Sequence, residues 1–101
     1  MSVVVIVRCS VSDVRKAATW ARTHADVPED ITAYGKSLGQ RGHMVVTDGK
    51  DLVVIDEWPD ADTFSTFFAG AARMGEFLSG AGVLGEPEVT ILEALDVPGT
   101  F

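Results

Sequence analysis

The sequence predicts an α+β fold in which helices cover one face of a four-stranded antiparallel sheet. Two apolar segments flank an Asp-Gly pair near the middle of the chain, and such a pair is a strong signal for a β-hairpin. A helical pattern lies on each side of this hairpin, and β-branched or alternating segments lie near the two ends of the chain. The order strand, helix, strand, strand, helix, strand is the ferredoxin-like βαββαβ arrangement.

The first strand is predicted over residues 3–9, which form a β-branched run. Residues 10–13 then supply N-cap candidates for a helix whose narrow apolar stripe consists mostly of alanine. Such small side chains let the helix lie close to the sheet. Trp20 and His24 lie one turn apart on the flank of this stripe. They either line the edge of a cavity or simply cover the shoulder of the helix.

A second helical piece is predicted over residues 28–41, because residues 26–29 resemble a capping box with an early proline. Ile31, Tyr34 and Leu38 share one face of this piece. A strand is the alternative, but the alternation of polar and apolar residues is poor here. We therefore favour a helix.

The central hairpin is predicted over residues 43–58, with the sequence HMVVTDGKDLVVIDEW. Its turn is centred either on the Asp-Gly pair or on the Gly-Lys pair that overlaps it, and both loops have an even number of residues. In both cases His43, Asp56 and Trp58 lie on the same face of the sheet. His43 is directly opposite Asp56 with the second turn and diagonal to it with the first. A three-residue loop with a bulge would break this relation.

A helical region rich in phenylalanine follows the hairpin. Pro59 and Asp60 end the strand and cap this helix. Gly70 and Gly75 could divide the helix into two pieces. Its apolar stripe consists of Phe64, Phe67, Phe68, Ala71, Met74 and Leu78.

The end of the chain is predicted to contain one more strand. Residues 80–85 are rich in glycine and predict a flexible connection. Residues 88–95, EVTILEAL, alternate well enough for the last strand, and residues 96–101 form a tail.

Length and composition favour a single ferredoxin-like domain over residues 1–101. The chain has 101 residues, of which 47% are hydrophobic, enough for a compact core.

The net charge of −7 and the lack of a basic stripe argue against nucleic acid or an anionic membrane surface as a partner. No apolar run is long enough to span a bilayer, and the N-terminal residues predict a strand rather than a signal peptide. The single cysteine, Cys9, fits a reducing compartment, so we expect a cytoplasmic protein.

The apolar character of the strands on both faces predicts a second cover for the sheet besides the helices. The sheet of another copy would supply this cover, so we expect a homodimer. Arg8 is unusual among the valines of the first strand. It would form a salt bridge across the dimer or bind an anionic group of a ligand.

The hairpin and the helix after it resemble a known family. The segment VVIDEWPDADTFSTFF is similar to the dimeric α/β-barrel superfamily, in particular to the small antibiotic-biosynthesis monooxygenases. The resemblance implies a dimeric α/β barrel, with a pocket between sheet and helices in each subunit and a tryptophan at the position of Trp58 in the pocket lining. The chain departs from the family in two respects. Val54 replaces an asparagine of those monooxygenases, and the helix over residues 28–41 is an addition that could act as a lid.

His43 and Asp56 are the candidate catalytic pair. A carboxylate that accepts a hydrogen bond from one imidazole nitrogen orients the ring and leaves the other nitrogen as a general base. The alternative is that His43 faces solvent at the strand edge and that Asp56 caps a neighbouring loop. The candidate substrate-binding residues are Trp58, Tyr34, Phe64, Phe67, Phe68, Trp20 and His24. The alternative for the aromatic residues is a place in the core, and for His24 a place on the surface.

These observations predict a cofactor-independent enzyme that removes a proton from an apolar, aromatic or polyketide-like small molecule, of the monooxygenase or cyclase/isomerase type. The alternative hypothesis is a non-catalytic dimeric protein of the same fold that binds a small molecule or has an accessory role. No metal is expected, because the two histidines lack metal-ligand spacing and the chain has no cysteine pair. Heme binding through one of the histidines is a lesser alternative.

Overall fold

The computed structural model describes residues 2–101, whose elements follow the order βααββααβ. The strands are β1 (Val3–Val11), β2 (Gly42–Thr47), β3 (Asp51–Trp58) and β4 (Val83–Glu93). The helices are α1 (Val14–Thr23), α2 (Asp26–Ser37), α3 (Ala61–Gly70) and α4 (Met74–Gly80). The strands form one antiparallel sheet in the order β2-β3-β1-β4. The predicted ferredoxin-like fold is therefore confirmed, and each of its two helical regions consists of two helices.

Local hydrogen bonds fix where two of the helices begin. The side chain of Asp13 accepts from the backbone N–H groups of Arg15 and Lys16 at 2.9 and 3.0 Å, which caps α1. The side chain of Asp60 accepts from the backbone N–H of Thr63 at 2.7 Å and caps α3. Both caps were expected from the sequence.

The second helix is displaced from its predicted bounds. It was expected over residues 28–41, whereas α2 spans Asp26–Ser37. It begins two residues earlier because the chain passes from α1 to α2 with Ala25 already in a helical conformation. It ends earlier because Gly39 has a φ of +101°, outside the range of a right-handed helix.

The last strand is also longer than predicted at its start. It was expected over residues 88–95 after a flexible connection, whereas β4 already begins at Val83, opposite Val11 of β1. Residues 85–87 lie opposite Cys9 alone, because Leu84 pairs with Ser10 and Glu88 pairs with Arg8. This is a β-bulge, and the φ of +71° at Gly85 shows why a glycine occurs there. Residues 83–85 of the glycine-rich connection are thus part of a bent strand, whereas Gly80 ends α4.

The core lies between the helices and one face of the sheet. β1 and β3 contribute alternate residues to this face, and α3 contributes two phenylalanines. The buried core cluster consists of Val5, Val7, Cys9, Leu52, Trp58, Phe64 and Phe67. The Trp58 and Phe67 rings have their centroids 4.7 Å apart, and Trp58 is fully buried. Removing one such aromatic side chain would cost about 3–5 kcal/mol.

The opposite face of the sheet carries no helix and is called the open face below. Met44, Val46, Leu84 and Leu92 lie on it and are between 39% and 57% exposed. Such an apolar surface on a sheet is a common sign of an interface. Within residues 2–101 no helix has both the length and the apolar character needed to cross a membrane.

Candidate functional site

A cavity of about 340 Å³ lies between the sheet and the helices. Its wall is formed by side chains from β1, β2, β3 and all four helices, and most of them are apolar. Helix α2 contributes Pro28, Ile31 and Thr32, so the helix that the sequence suggested as a lid forms part of the wall. The volume lies within the usual range for small-molecule sites.

The register of the central hairpin places two polar groups at this wall. Thr47 pairs with Leu52 and His43 pairs directly with Asp56. This is the register of the turn centred on Gly49 and Lys50, one of the two alternatives left open by the sequence. The shared face of His43 and Asp56 is the helix-covered face, and both residues line the cavity. Trp58 shares this face, as predicted.

The side chains of His43 and Asp56 form a hydrogen bond of 2.6 Å between Nδ1 and Oδ1. The Asp56 side chain is only 5% exposed, whereas that of His43 is 38% exposed. With the carboxylate as acceptor, the ring carries its proton on Nδ1 and the lone pair on Nε2. Within residues 2–101 no hydrogen bond to Nε2 is present. The pair therefore has the geometry of an oriented general base at the edge of an apolar cavity.

The three predicted phenylalanines line the cavity, and two other predicted aromatic residues lie behind its wall. Phe64, Phe67 and Phe68 are all in the lining. Trp58 and Tyr34 do not line the cavity, but both pack against residues that do. Trp58 packs against Phe64 and Phe67, and the Tyr34 ring stacks on the Phe67 ring with centroids 5.9 Å apart. Trp58 Nε1 is buried and has no hydrogen-bond acceptor within residues 2–101. Direct binding by these two residues stays a prediction.

Trp20 and His24 are also outside the lining. Their rings stack with centroids 4.5 Å apart, and Trp20 contacts the Phe77 ring edge-on at 6.2 Å. Phe77 itself lines the cavity. The Trp20–His24 pair therefore buttresses one wall residue from the outside, and the exposed His24 points its Nδ1 toward the Trp20 carbonyl at 3.0 Å.

The sequence reasoning missed several wall residues, and three of them carry a thiol, hydroxyl or amide group. Cys9, Thr32 and Gln40 line the cavity. Burial raises the pKa of the Cys9 thiol, and the charge of Asp51 adds to this rise, so the thiol is kept in its unreactive protonated form. The alternation of β1 could have placed Cys9 on the helix-covered face. No sequence signal could have placed Gln40, because it follows α2 in an irregular connection.

Two arginines form ion pairs, Arg73 beside the cavity and Arg8 on the open face of the sheet. Arg73 bonds Asp26 and Asp30 of α2 at 2.9 and 2.7 Å and Glu76 of α4 at 2.9 Å, and so ties together two helices that line the cavity. Arg8 bonds Asp48 and Asp51 of its own chain at 3.2 and 3.0 Å. Arg8 thus has carboxylate partners within its own chain, and a salt bridge across a dimer stays a prediction. Among residues 2–101 no three His, Cys, Asp or Glu side chains converge as a metal site would require.

No protein-family model matches the sequence, and no curated protein matches it. Solved structures do match the fold. SnoaB, a cofactor-independent oxygenase from Streptomyces nogalater, has a TM-score of 0.66 and 16% identity over 98% of both chains. Rv0793 from Mycobacterium tuberculosis has a TM-score of 0.64 and 21% identity over 98% of this chain and all of its own. The ActVA-Orf6 monooxygenase of Streptomyces coelicolor, in complex with Nanaomycin D, has a TM-score of 0.66 and 15% identity over 97% of this chain and 93% of its own.

These likenesses confirm the resemblance drawn from the hairpin and the Phe-rich helix at the level of fold. The chain has the fold of the antibiotic-biosynthesis monooxygenase proteins along nearly its whole length. Identities of this size establish a shared fold and leave the activity to be argued from the site.

Proposed function

We propose that this protein is a small homodimeric enzyme that removes a proton from an apolar, aromatic or polyketide-like molecule without a cofactor. The observation that carries the proposal is the His43–Asp56 hydrogen bond of 2.6 Å at the wall of an apolar cavity. Two similar structures support it, since SnoaB is described as a cofactor-independent oxygenase and ActVA-Orf6 as a monooxygenase.

The proposed step is general-base catalysis by His43. Nε2 takes a proton from a phenolic hydroxyl or an activated C–H group of the substrate, and the ring becomes an imidazolium. Asp56 stabilises that cation through Nδ1 and keeps the ring oriented, while Phe64, Phe67 and Phe68 hold the aromatic body of the substrate. In a monooxygenase the substrate anion then reacts with dioxygen: the substrate gains one oxygen atom and loses two hydrogen atoms, which leave with the second oxygen atom as water. In a cyclase or isomerase the anion is cyclised or reprotonated at another atom.

The homodimer is part of the proposal because the open face needs a cover. Met44 lies on this face in the edge strand β2 and is 55% exposed, and Leu92 lies on it in the other edge strand, β4, and is 48% exposed. A second copy packed sheet to sheet would bury both and close two sheets into an α/β barrel. We also place the protein in the cytoplasm, on the basis of its single, unpaired cysteine.

Deuterium exchange of anthrone tests the proton removal directly. Anthrone is aromatic and has an acidic C–H group, so exchange of this group in heavy water reports proton removal whatever the later outcome. We expect the protein to accelerate this exchange. The acceleration by the His43→Ala variant should be about 10²–10⁴-fold smaller. Oxygen uptake measured in parallel separates a monooxygenase from a cyclase or isomerase.

Asp56→Asn and Glu57→Gln form a matched pair for the same assay. Both replace a carboxylate of β3 by an amide, but only Asp56 bonds His43, while Glu57 is on the opposite face. We expect the first variant to lose most of the acceleration and the second to retain it. Equal rates for His43→Ala, Asp56→Asn and the unchanged protein would contradict the proposed role of the pair.

A non-catalytic binding protein is the second candidate. It is favoured by the composition of the wall, in which the polar side chains are few and the remainder is hydrocarbon. Such a protein would bind anthrone without accelerating its exchange. Calorimetric binding in the absence of acceleration would therefore favour this function over the enzyme.

A further inference from the structure

Gln40 is a wall residue whose side chain carries an amide group. It is half-buried, lines the wall and makes no side-chain hydrogen bond within residues 2–101. Its backbone is fixed, since its N–H donates to the Gly35 carbonyl at 3.0 Å. An amide in this position has both a donor and an acceptor available for a ligand.

A glycine in α2 makes room for this amide. Gly35 lies four residues after Ile31 and three after Thr32, so it is next to both on the surface of α2, and both of these residues line the cavity. A Cβ at position 35 would collide with Oε1 of Gln40. The Gln40 amide therefore occupies the place that a side chain at position 35 would otherwise fill. Glycine inside a helix is less stable than alanine, so the space for the Gln40 amide lowers the stability of α2.

The amide and the histidine lie at separate points of the wall. Gln40 precedes β2 and packs on α2, whereas His43 is in β2 and bonds Asp56 of β3. Three residues of extended chain span at most about 10 Å, so the Cα atoms of Gln40 and His43 lie no farther apart than this. One fused aromatic ring system is thus long enough to lie near both residues. Between these points the wall is largely apolar.

We propose that Gln40 is a specificity-determining residue that selects substrates with two polar groups. One group, a phenolic hydroxyl or acidic C–H, meets His43, and a second hydroxyl or carbonyl group hydrogen-bonds the Gln40 amide. This inference rests on the proposed function and adds the second polar group to the chemical class of the substrate.

Calorimetric titration with naphthol and a panel of dihydroxynaphthalene isomers tests this inference. The two kinds of molecule share one apolar body and differ by one hydroxyl group. We expect at least one diol to bind the unchanged protein about fivefold more tightly than naphthol, the usual effect of one hydrogen bond. Gln40→Leu should abolish this preference and leave naphthol binding within about twofold.

Gly35→Ala provides a second variant that keeps Gln40. The added methyl group would displace the end of the flexible Gln40 side chain and would also lie 3.3 Å from Cε1 of the buried Phe67 ring. Naphthol binding to Gly35→Ala therefore serves as the control for a movement of Phe67. This variant should lose the diol preference as Gln40→Leu does. In the unchanged protein, the side-chain amide signals of Gln40 in nitrogen–proton NMR spectra should shift with the preferred diol and not with naphthol.

Two results would overturn the inference. In the first, the unchanged protein binds naphthol and all the diols equally. In the second, the diol preference survives in both Gln40→Leu and Gly35→Ala. Failure of the proposed function is measured separately, because a protein without proton removal would not accelerate anthrone exchange and could still prefer a diol. If neither naphthol nor any diol bound the unchanged protein, the inference would also be overturned.

Discussion

Asp56 is the one charged side chain that the fold buries within residues 2–101. A buried carboxylate loses its hydration and is tolerated when hydrogen bonds replace it. Here His43 provides a bond of 2.6 Å from the neighbouring strand. The same contact that satisfies the buried group also orients the imidazole. A structural requirement and the proposed catalytic arrangement therefore coincide in a single side-chain pair.

Gly80 shows how closely the residues behind the wall are packed. A Cβ at this position would overlap the Trp20 indole, and a rigid ring cannot move aside as a flexible chain end can. We expect Gly80→Ala to lower the free energy of unfolding by about 1–3 kcal/mol, as overpacking usually does. Urea denaturation followed by circular dichroism measures this change.

Gly75→Ala is the matched control in the same helix. A Cβ at Gly75 would meet nothing within 4 Å. Alanine also favours helix over glycine, so this variant should be unchanged or more stable by up to about 1 kcal/mol. If Gly80→Ala were as stable as Gly75→Ala, the packing of Trp20 over α4 would be contradicted.

At the scale of elements, the hairpin turn fixes which residues of β2 and β3 meet. The Asp48 side chain accepts from the backbone N–H groups of Lys50 and Asp51, both at 2.9 Å. Gly49 has a φ of +98°, a conformation that favours glycine. These local bonds support the register that brings His43 opposite Asp56, more than 10 Å along the hairpin.

The stability of this turn should depend on pH in the acid range. The N–H groups of Asp51 and Lys50, and then Arg8, lower the pKa of Asp48 from 3.8 to about 2. Because the folded-state pKa is depressed, the stabilising effect of the carboxylate is complete above pH 3.8 and is lost as the pH falls through about 2. The stability difference between the unchanged protein and Asp48→Ala should therefore shrink over this range.

Urea denaturation at several pH values tests this expectation, with Arg8→Ala as the comparison. The backbone N–H groups affect the pKa of Asp48 more than Arg8 does. Arg8→Ala should thus preserve most of the pH dependence. A pH-independent difference for Asp48→Ala would argue that the turn does not rely on the ionised carboxylate.

At the scale of the whole molecule, the two faces of the sheet have different covers. Four helices and a cavity occupy one face, and the open face carries exposed apolar side chains. The proposed dimer assigns the open face to a second sheet. It would leave the cavity and the His43–Asp56 pair on the outer side of each sheet, within their own subunit.

A charge on the open face tests the dimer. Met44→Glu would place an unpaired carboxylate in the proposed interface, which costs several kcal/mol when no partner is present. We expect the unchanged protein to have twice the chain mass in size-exclusion chromatography with light scattering and the variant to have the mass of one chain. Ala33→Glu, on the exposed surface of α2, should remain dimeric. Equal masses for all three proteins would contradict the sheet-to-sheet arrangement.

The features that the sequence predicted well are those that depend on neighbours along the chain. The caps Asp13 and Asp60 lie beside the helices they begin, and the division of the Phe-rich helix follows its own residues. The bounds of α2 and β4 were less predictable. Each depends on a partner element: α2 follows α1 almost without interruption, and the first residues of β4 pair with the end of β1 across a bulge.

The sequence by itself determined the order of the elements. It also predicted the shared face of His43, Asp56 and Trp58 for any loop with an even number of residues, since residues alternate between the two faces along each strand. Only the tertiary structure decided between the two turn registers, placed Trp58 behind the wall while His43 and Asp56 line it, and brought Gln40 to the cavity. The physical reason is that a residue's face follows from local backbone geometry. Whether the residue reaches a cavity depends on where the helices pack over that face.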